Sequence, residues 1–591
     1  MRFIGIALFA ITLLCTLPGL GERDFWPPDG ARYAGVAREM FRNQDYAVPH
    51  LNQEIYGDKP PGYFWGVQVA AWFRGSVDEG TARLPSIWAA LCLVVLVGMV
   101  VAKATGAHAG FLSGMALLGT WSFAWQARYA QLDLLFAAFI SLSALTGFKA
   151  LEENRSKLLA LACLWLGFAI LVKGPLALLV IPLLLLWRYF GKPERAEGAS
   201  FGSACLWGGC FLLLPVLCWM FWAAQTHGFA YVSEDLLQRN VLDRARNGLA
   251  HQQNWHFYFR RLPAFWAPWI LFLPLYCSRH VRGLLGEKGR RLCGFSALWI
   301  CFFLLLQSLF PGKRSVYTFI FCAPVAILLG HAMAAAVNVK ARQTQKFLAS
   351  SVLFLLATLF FMVGSIVLIG CVDSTVIEGV KELVESKFTV DLAATWESLK
   401  LPVPRDMFWS AFQSDFRLIA LAMAAGGLSV LGLLIRRKLD YAIDLMALVL
   451  AITLGLAFGY GAPWLDASRS RQDLAQNINR IVGPGELAIF RHTDEGLLFY
   501  LDRHLPELTG DLSTLQAEED SDERRTELLN LADVEAATWM KQNSKRFLLI
   551  RQVDREALPR FGTTDYVVVH SQRVGSKRWY DLVKLTKGAS K

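Results

Sequence analysis

Long apolar segments alternate with short charged ones along most of this chain, and the apolar segments have the length of membrane-spanning helices. A helix needs roughly 20 mostly apolar residues to cross the hydrocarbon core of a bilayer, so we expect about thirteen transmembrane helices. The candidate segments are 4–20, 85–101, 108–125, 130–148, 158–172, 175–190, 203–224, 263–278, 293–310, 316–337, 347–371, 416–434 and 441–463. The fifth and sixth segments are short and fit either two spans or one re-entrant pair. The pattern predicts an all-α polytopic membrane protein.

The pattern changes near residue 465, where charged positions become frequent and apolar runs become short. Residues 473–482 have the spacing of an amphipathic helix, and an acidic stretch follows at 518–525. Short buried strands are expected at 486–490, 547–550 and 565–570. We therefore expect two domains: a membrane domain over residues 1–464 and a small α/β domain over residues 465–591.

Composition and charge distribution support a membrane protein and give it an orientation. The 591 residues are 54% hydrophobic and only 18% charged, with a mean hydropathy of +0.37, which is unlike a soluble domain. The net charge of +11 comes partly from basic clusters that recur in alternate loops, at 149–157, 188–195, 279–291, 340–346 and 436–438. Positive residues mark cytoplasmic loops. The charge therefore indicates topology rather than nucleic-acid binding, and it predicts a cytoplasmic N-terminus and a C-terminus outside.

This topology predicts three long outer loops, at 21–84, 225–262 and 372–415. In the first loop, Asp29 follows two prolines and precedes apolar residues with helical spacing. Such a helix would lie in the membrane interface. Asp29 has two interpretations: it caps this helix, or its charge serves a reaction.

Ionisable residues from five separate segments are predicted to converge at the outer face. They are Asp29, Arg32, Asp58, Lys59, Asp133, Lys173, His251, His256, Lys313 and Arg314, with Tyr317 nearby. Taken singly, Lys173 could be an interfacial anchor and His251 an ordinary loop histidine. Taken together they indicate a functional site, because ionisable residues at membrane depth are costly.

The residue types in this cluster indicate phosphate chemistry. Lysine and arginine suit a phosphate or diphosphate, and a nearby carboxylate can act as a general base or orient an acceptor. No nucleotide-binding loop pattern occurs in the sequence. We therefore expect no nucleotide cofactor and a donor that is itself a membrane lipid, such as a lipid-phosphate sugar.

Five motifs, in order, resemble those of the lipid-linked-sugar glycosyltransferases of the GT-C fold. They are PPDGARYAGVAREMFRNQDYAVPHLNQEIYGDKPPGYFW, ARYAQLDLLFAAF, LVKGPLA, HQQNWHFYFRRLPAFWAPW and FPGKRSVYTFIF. The resemblance covers roughly residues 1–340. It is closest to the bacterial branch that contains the 4-amino-4-deoxy-L-arabinose lipid A transferase and the protein mannosyltransferase-like enzymes. It implies a GT-C membrane domain with periplasmic loops and a periplasmic C-terminal domain.

The resemblance also implies roles for individual residues. Asp29 and Asp133 match the family's two acidic catalytic positions. Arg32, Lys59 and Tyr317 match residues that contact the polyprenyl phosphate, and we add Lys173, Lys313 and Arg314 as further donor-binding candidates from their charge and placement. Asp58 and His251 fall where relatives hold one divalent metal ion. The chain departs from the family at Gly30, where a glutamate is frequent, and in HQQNW, where two histidines compete as the ligand.

The expected function is that of an inner-membrane glycosyltransferase whose active site faces the periplasm. It would move a sugar, with 4-amino-4-deoxy-L-arabinose as one candidate, from an undecaprenyl-phosphate-type donor to lipid A or another periplasm-facing acceptor. Its expected partners are the lipid donor, the acceptor and membrane lipids, with no nucleic acid. The alternatives are a protein O-mannosyltransferase-like enzyme and a lipid-linked-sugar transporter or flippase. A transporter needs polar groups near the middle of the membrane, whereas here they gather at one face. An oligosaccharyltransferase-type enzyme is less favoured because no Trp-Trp pair occurs.

Overall fold

The computed structural model describes most of the membrane domain and part of the tail. The described residues are 2–191, 201–231, 252–338, 340–370, 416–462, 466–492, 494–508, 529, 531–536, 538–539, 546–555, 566–574 and 578–585. The expected third outer loop, the acidic stretch 518–525 and His251 lie outside them.

Within these residues, nine helices are long and apolar enough to cross a membrane. They are Glu79–Thr105, Asp133–Glu152, Ser156–Lys173, Trp207–His227, Glu287–Leu309, Ser315–Val337, Gln343–Ile369, Arg417–Ile435 and Leu439–Gly461. Three shorter apolar helices accompany them, at Arg2–Thr16, Ala107–Leu118 and Pro175–Phe190. The chain is a multi-pass membrane protein, as its hydrophobic pattern predicts.

The predicted segment 263–278 is not a continuous helix. The structure forms an α-helix over Phe257–Phe265 and a 3-10 helix over Trp269–Cys277. Prolines at 263, 268 and 274 account for this, because proline cannot donate the backbone hydrogen bond that a helix interior requires. Hydropathy alone does not register this interruption.

The fifth and sixth predicted segments form two helices separated by one glycine. Helix Ser156–Lys173 ends at Gly174, which has a φ of +93°, and the chain continues through a 3-10 turn over Pro175–Leu179 into Val180–Phe190. Glycine adopts this backbone conformation without the steric cost that other residues incur. The turn leaves Lys173 at the end of its helix.

Helices early in the chain pack closely through small residues. We label them α1 (Arg2–Thr16), α4 (Glu79–Thr105) and α5 (Ala107–Leu118), with α2 and α3 in the loop described next. A Cβ atom on Gly110 of α5 would lie 2.4 Å from the carbonyl oxygen of Gly98 in α4. Glycine therefore permits the close backbone approach common between membrane helices.

The first outer loop contains two helices and a small hairpin. Helix α2 spans Asp29–Asn43, strands β1 (His50–Leu51) and β2 (Glu54–Ile55) pair antiparallel, and helix α3 spans Gly62–Arg74. The apolar stripe predicted for α2 is buried, at Tyr33, Val36, Ala37 and Met40. The helix predicted from this spacing is confirmed.

The remaining helices complete the membrane domain and lead into the tail. They are α6 (Trp121–Ala127), α7 (Asp133–Glu152), α8 (Ser156–Lys173), α9 (Val180–Phe190) and α10 (Phe201–His227), followed by Arg279–Gly283, Glu287–Leu309, the 3-10 helix Ser315–Phe321, Cys322–Val337, Gln343–Gly370, Arg417–Ile435, Leu439–Leu456, the π-helix Ala457–Gly461, Asp466–Arg469, Gln472–Val482 and Glu495–Leu501.

The tail contains a five-stranded mixed sheet, so the predicted α/β character is confirmed. The strands are β3 (Glu486–Phe490), β4 (Glu507–Leu508), β5 (Arg546–Arg551), β6 (Tyr566–Val574) and β7 (Arg578–Leu585), in the order β4-β3-β5-β7-β6. Strand β3 runs parallel to β4 and β5, whereas β7 runs antiparallel to β5 and β6. The amphipathic helix expected at 473–482 is present as Gln472–Val482 and packs its apolar face against the sheet.

One expectation for the sheet is wrong. The run at 565–570 was expected to be a buried strand, but β6 alternates between half-buried and exposed positions, with Val567 48% and Val569 42% exposed. Strand β6 is the last strand of the sheet. Side chains alternate between the two faces of a strand, and the face that carries Val567 and Val569 is exposed, although the sequence is continuously apolar over three valines.

The tail is fastened to helix α2. Arg42 donates to both carboxylate oxygens of Asp502, at 2.6 and 2.8 Å, and the guanidinium of Arg38 lies 4.1 Å from the ring centroid of Phe499. Phe499 also meets Phe25 edge to face, with centroids 4.8 Å apart. Charged and aromatic contacts together hold α2 between the membrane helices and the tail domain.

Candidate active site

The carboxylate of Asp29 is the centre of a buried polar group at the start of α2. Its Oδ1 accepts from Nη2 of Arg32 at 2.5 Å, and its Oδ2 accepts from Nε2 of Gln131 at 2.8 Å and from Nη2 of Arg314 at 3.1 Å. Asp29 is only 5% exposed. Hydrogen bonds from two guanidinium groups and an amide therefore hold this buried carboxylate in one position.

The helix-cap interpretation of Asp29 is wrong. The N-cap residue is Pro28, and no side chain caps the helix at this end. Pro28 has α-helical torsion angles, and its carbonyl already accepts from the N–H of Arg32. The helical turn therefore begins one residue earlier than expected, so the Asp29 side chain is available to the groups around it rather than to the backbone N–H groups of the first turn.

Gln131 is a site residue that the sequence reading overlooked. Besides its bond to Asp29, its Oε1 accepts from Nε2 of Gln126 at 2.8 Å, and both glutamines are buried. The signal was present, since Gln131 stands two positions before Asp133 in the motif ARYAQLD. The predicted site was defined by ionisable residues, and the side chain of Gln131 is uncharged.

Asp133 and Lys173 form a second buried group. Asp133 is the first residue of α7, Lys173 is the last residue of α8, and the two side chains form an ion pair in which they are 5% and 12% exposed. The ammonium of Lys173 also lies 4.5 Å from the ring centroid of Tyr317. Lys173 is therefore paired inside the protein rather than extended toward the membrane surface as an anchor.

The two groups lie close enough to influence each other. Burial opposes the charge of Arg314, but the carboxylates of Asp29 and Asp133 outweigh it and raise the pKa of Arg314. Burial also raises the pKa of Tyr33 well above its usual value, and both carboxylates add to that effect. Four segments far apart in sequence thus supply one site of mixed charge.

Lys59 and Lys313 differ in their surroundings. Lys59 is partly exposed in the turn before α3, and its ammonium donates to the backbone oxygen of Asp58 at 3.1 Å. Lys313 is buried and donates to the backbone oxygens of Gln253, at 2.9 Å, and Phe310, at 2.5 Å. Lys313 and Arg314 are both candidates for donor binding. Arg314 donates a hydrogen bond to Asp29, whereas Lys313 donates to the backbone of two separate segments.

The tail domain contributes a carboxylate that no motif indicated. Oε1 of Glu495 lies 3.9 Å from Nη1 of Arg32, and burial raises the pKa of Glu495. Burial lowers the pKa of Arg32, but the groups around it, among them Tyr56, Tyr33, Asp29 and Glu495, outweigh burial and raise it. Arg32 therefore lies between Asp29 of the first outer loop and Glu495 of the tail.

Only one of the two metal ligands that the family resemblance implies, Asp58, lies within the described residues. Asp58 is exposed, and His251 lies outside the described residues. In the described part of the chain, one group of three side chains could hold a metal ion: Asp45, His50 and His227.

Comparison with known proteins finds one matching family model and several solved structures of similar architecture. Residues 58–222 match a family model described as dolichyl-phosphate-mannose-protein mannosyltransferase. The crystal structure of ArnT from Cupriavidus metallidurans bound to undecaprenyl phosphate superposes with a TM-score of 0.68 at 18% identity, covering 98% of this chain and 97% of that one. The apo form of the same protein gives a TM-score of 0.69 at 17% identity. The chain therefore has the fold of these ArnT structures, which is the GT-C fold that the motifs predict.

Within that class, the chain is similar to the 4-amino-4-deoxy-L-arabinose transferases. It is 28% identical over 341 residues to undecaprenyl phosphate-alpha-4-amino-4-deoxy-L-arabinose arabinosyl transferase 2 of Pseudomonas fluorescens, a match that covers 55% of this chain and 59% of the relative. It is also 28% identical over 340 residues to the corresponding transferase of Pseudomonas aeruginosa. The chain thus matches just under three fifths of the length of these curated relatives.

Proposed function

We propose that this protein is an integral-membrane glycosyltransferase that moves a sugar from an undecaprenyl-phosphate-type donor to lipid A or another periplasm-facing acceptor. The observation that carries the proposal is the buried carboxylate of Asp29, held between Arg32 and Arg314 next to the Asp133–Lys173 pair. This arrangement offers a carboxylate to an acceptor and several cations to a departing phosphate. The names of the relatives, all transferases of a lipid-phosphate-linked sugar, support the same reaction class.

In the proposed transfer, an acceptor oxygen bonds to the anomeric carbon of the sugar. The bond from that carbon to the lipid phosphate breaks, and the phosphate leaves with the bonding electrons. Negative charge then grows on the phosphate, so nearby cations stabilise the transition state more than the ground state. Arg32, Lys59 and Tyr317 are the contacts implied by the family motifs, and Lys173 and Arg314 join them through their positions.

Arg32 has the donor capacity that this role needs. A guanidinium carries five N–H donors in a planar fork, which suits bidentate phosphate recognition. Within the described residues, the Nε of Arg32 is buried and has no hydrogen-bond partner. A buried donor left unpaired is costly, so a phosphate oxygen at this position would stabilise the site.

Asp29 is proposed to hold the acceptor. An ionised carboxylate has about four lone-pair directions. Arg32, Gln131 and Arg314 use three of them. The remaining direction can receive a hydroxyl acceptor and take up its proton as the new bond forms. A phosphate acceptor is already anionic and has no such proton, so Asp29 would then only position it.

The remaining features of the proposal concern placement and cofactors. We place the site and the C-terminal domain, residues 465–591, on the periplasmic side of a bacterial inner membrane, because the basic clusters occupy the opposite loops. The reaction uses no nucleotide cofactor. The protein would also bind one divalent metal ion, which takes no part in bond breaking.

A chromosomal deletion with plasmid complementation tests the function. Lipid A from the deletion strain, analysed by mass spectrometry, should lack a species heavier by one aminoarabinose unit. Wild-type protein should restore this species, whereas an Asp29→Asn variant produced at the same level should not. Unchanged lipid A and unchanged periplasmic glycans in the deletion strain would refute the proposal.

A protein O-mannosyltransferase-like activity is the second candidate, because the family model that matches residues 58–222 carries that description. The same deletion strain separates the two, since loss of this activity would leave periplasmic proteins without the sugar and lipid A unchanged. A flippase is less favoured because Asp29, Asp133 and Lys173 all lie at helix ends rather than midway along a helix.

A further inference from the structure

Two histidines and an aspartate from distant parts of the chain meet beside the first outer loop. Nε2 of His227, the last residue of α10, lies 2.5 Å from Oδ2 of Asp45, and Nδ1 of His50 lies 3.6 Å from the same oxygen. One ligand atom from each of the three residues lies within 4.8 Å of the others. None of the three belongs to the polar groups around Asp29 and Asp133.

Backbone groups orient two of these side chains. The Oδ1 of Asp45 accepts from the N–H groups of Ala47, at 3.1 Å, and Val48, at 3.2 Å, so Oδ2 is turned toward the histidines. Nδ1 of His50 lies 2.9 Å from the carbonyl oxygen of Val48. A carbonyl oxygen can only accept, so Nδ1 carries the proton and a neutral His50 keeps its lone pair on Nε2. Metal-binding histidines and carboxylates usually have such second partners.

We infer that Asp45, His50 and His227 bind one divalent transition metal ion of the zinc class. Two imidazoles and one carboxylate suit zinc and similar ions, whereas calcium and magnesium take oxygen ligands. Zinc–nitrogen bonds of about 2.0–2.1 Å in a tetrahedron place ligand atoms about 3.3 Å apart. One potential ligand atom of each residue lies within 4.8 Å of the others, so side-chain rotations that turn Nε2 of His50 toward the ion would bring the three to that spacing. The fourth position is left to water.

The metal would join the first outer loop to a membrane helix. Asp45 and His50 follow α2, whose first residue is Asp29, and His227 ends α10. The indole of Trp219 in α10 already donates to the carbonyl of Ala47 at 2.9 Å. Both residues belong to an apolar cluster between the loop and α10. A metal ion would fix the far end of α2 against α10. This inference concerns the binding site and does not depend on the proposed transfer activity.

The side chains are accessible to an ion from solution. The exposed fractions of the Asp45, His50 and His227 side chains are 18%, 14% and 27%. The site is therefore partly shielded yet open enough for exchange, which permits removal of the ion by a chelator and its return.

The chain contains a matched control. Nε2 of His108 lies 2.7 Å from Oδ1 of Asp444, which accepts the hydrogen bond, and this pair is part of no group of three potential ligands in the described ranges. If the His227–Asp45 contact were only a hydrogen-bonded ion pair, it would behave like the His108–Asp444 pair. Replacement of either histidine by glutamine preserves a hydrogen-bond donor but removes an imidazole ligand.

The test uses full-length protein purified in detergent without a histidine tag, treated with a chelator and titrated with Zn²⁺ alone. Wild-type protein should take up one equivalent, measured by elemental analysis, and should gain thermal stability. His227→Gln and His50→Gln should weaken Zn²⁺ binding at least tenfold, since losing even a partner of a ligand costs 10- to 100-fold. His108→Gln and Asp58→Asn should bind as the wild type does. Co²⁺ in place of Zn²⁺ should give the visible absorption of a four-coordinate site in wild type only.

Two results would overturn the inference. One is wild-type protein that takes up no Zn²⁺, or that binds it as tightly after His227→Gln. The other is loss of binding in Asp58→Asn with full binding in His227→Gln, which would put the ion at the position implied by the family motifs. If His227→Gln fails to fold, Asp45→Asn answers the same question, because it keeps the shape of the side chain and removes its charge.

Discussion

Arg314 donates to Oδ2 of Asp29 at 3.1 Å, although 285 positions separate the two residues. This contact ties the turn before the 3-10 helix Ser315–Phe321 to the start of α2. The Asp29 carboxylate is buried and pairs with Arg314 as well as with Arg32, so the contact with Arg314 offsets part of the cost of burying its charge. The catalytic proposal for Asp29 therefore depends on a contact made late in the chain.

Asp29→Asn should abolish most transfer activity while leaving expression and extraction normal. Asparagine has nearly the same shape but cannot accept a proton, and its amide would place a donor against Arg32 or Arg314. The loss should be about 10² or more, measured as turnover of purified protein. Asp78→Asn is the matched control, because Asp78 does cap a helix, by accepting from the N–H of Thr81, and asparagine caps equally well. Equal turnover in the two variants would contradict a role for the Asp29 charge.

Lys59→Ala should weaken use of the lipid-phosphate donor by roughly ten- to a hundredfold. Hydrogen bonds to charged groups contribute about 1.5–3 kcal/mol, and that energy is lost from phosphate binding and departure. Arg74→Ala in the same loop controls for a change in surface charge, since Arg74 is largely exposed and pairs with Asp78. The measurement is kcat/KM for the donor. A wild-type value for folded Lys59→Ala would place the phosphate elsewhere.

Lys173→Met should destabilise the protein more than the double variant Lys173→Met/Asp133→Asn. The single change leaves Asp133 buried and charged without its partner, which typically costs about 3 kcal/mol. The double change removes both charges together. Thermal unfolding in detergent measures the difference. If the two replacements destabilise independently, the ion pair has no energetic coupling.

The stability of the protein should depend on pH through Asp466. Burial raises the pKa of Asp466 from 3.8 to about 6. The folded state binds this proton more tightly than the unfolded chain, so this group favours folding at low pH, and its contribution declines as the pH rises from about 4 to about 6. Asp466→Asn removes the titration. Its unfolding temperature should fall less than that of the wild type over this interval, and parallel profiles would contradict the assignment.

The C-terminal domain should lie outside the cytoplasm. Alkaline phosphatase fused after residue 591 should be active, and the same enzyme fused into the basic loop near residue 342 should be inactive. The reverse pattern would remove the outward-facing site on which the proposed reaction rests.

Much of the membrane domain could be predicted from sequence because hydropathy and helix length are local properties. The stripe on α2 and the helix ends at Asp133 and Lys173 follow from spacing and charge within a few residues. Segment 263–278 was misjudged because its prolines interrupt the helix without lowering its hydropathy. The exposed face of β6 was missed because its three consecutive valines do not show the alternation of apolar and polar positions that marks a strand with one exposed face.

The candidate site was only partly predictable, because its contacts join segments that lie far apart in the sequence. The motifs identified Asp29, Arg32 and Arg314, but not their shared contacts, and they gave no sign of Gln131 or Glu495. His227, Asp45 and His50 carry no recognisable metal-binding spacing, because nearly 180 positions separate His227 from the other two. Such sites become visible only when the fold brings distant segments together.

The bonds between Asp502 and Arg42, and between Phe499 and Arg38, have a consequence for protein engineering. The tail contacts the same helix that begins with Asp29. In a chimera of two related proteins, α2 and the tail should therefore come from the same parent sequence. A chimera that takes its tail from a relative must also take the surface of α2 that faces it. A single breakpoint inside the membrane helices separates α2 from the tail, so a stable chimera should need both of these segments from one parent.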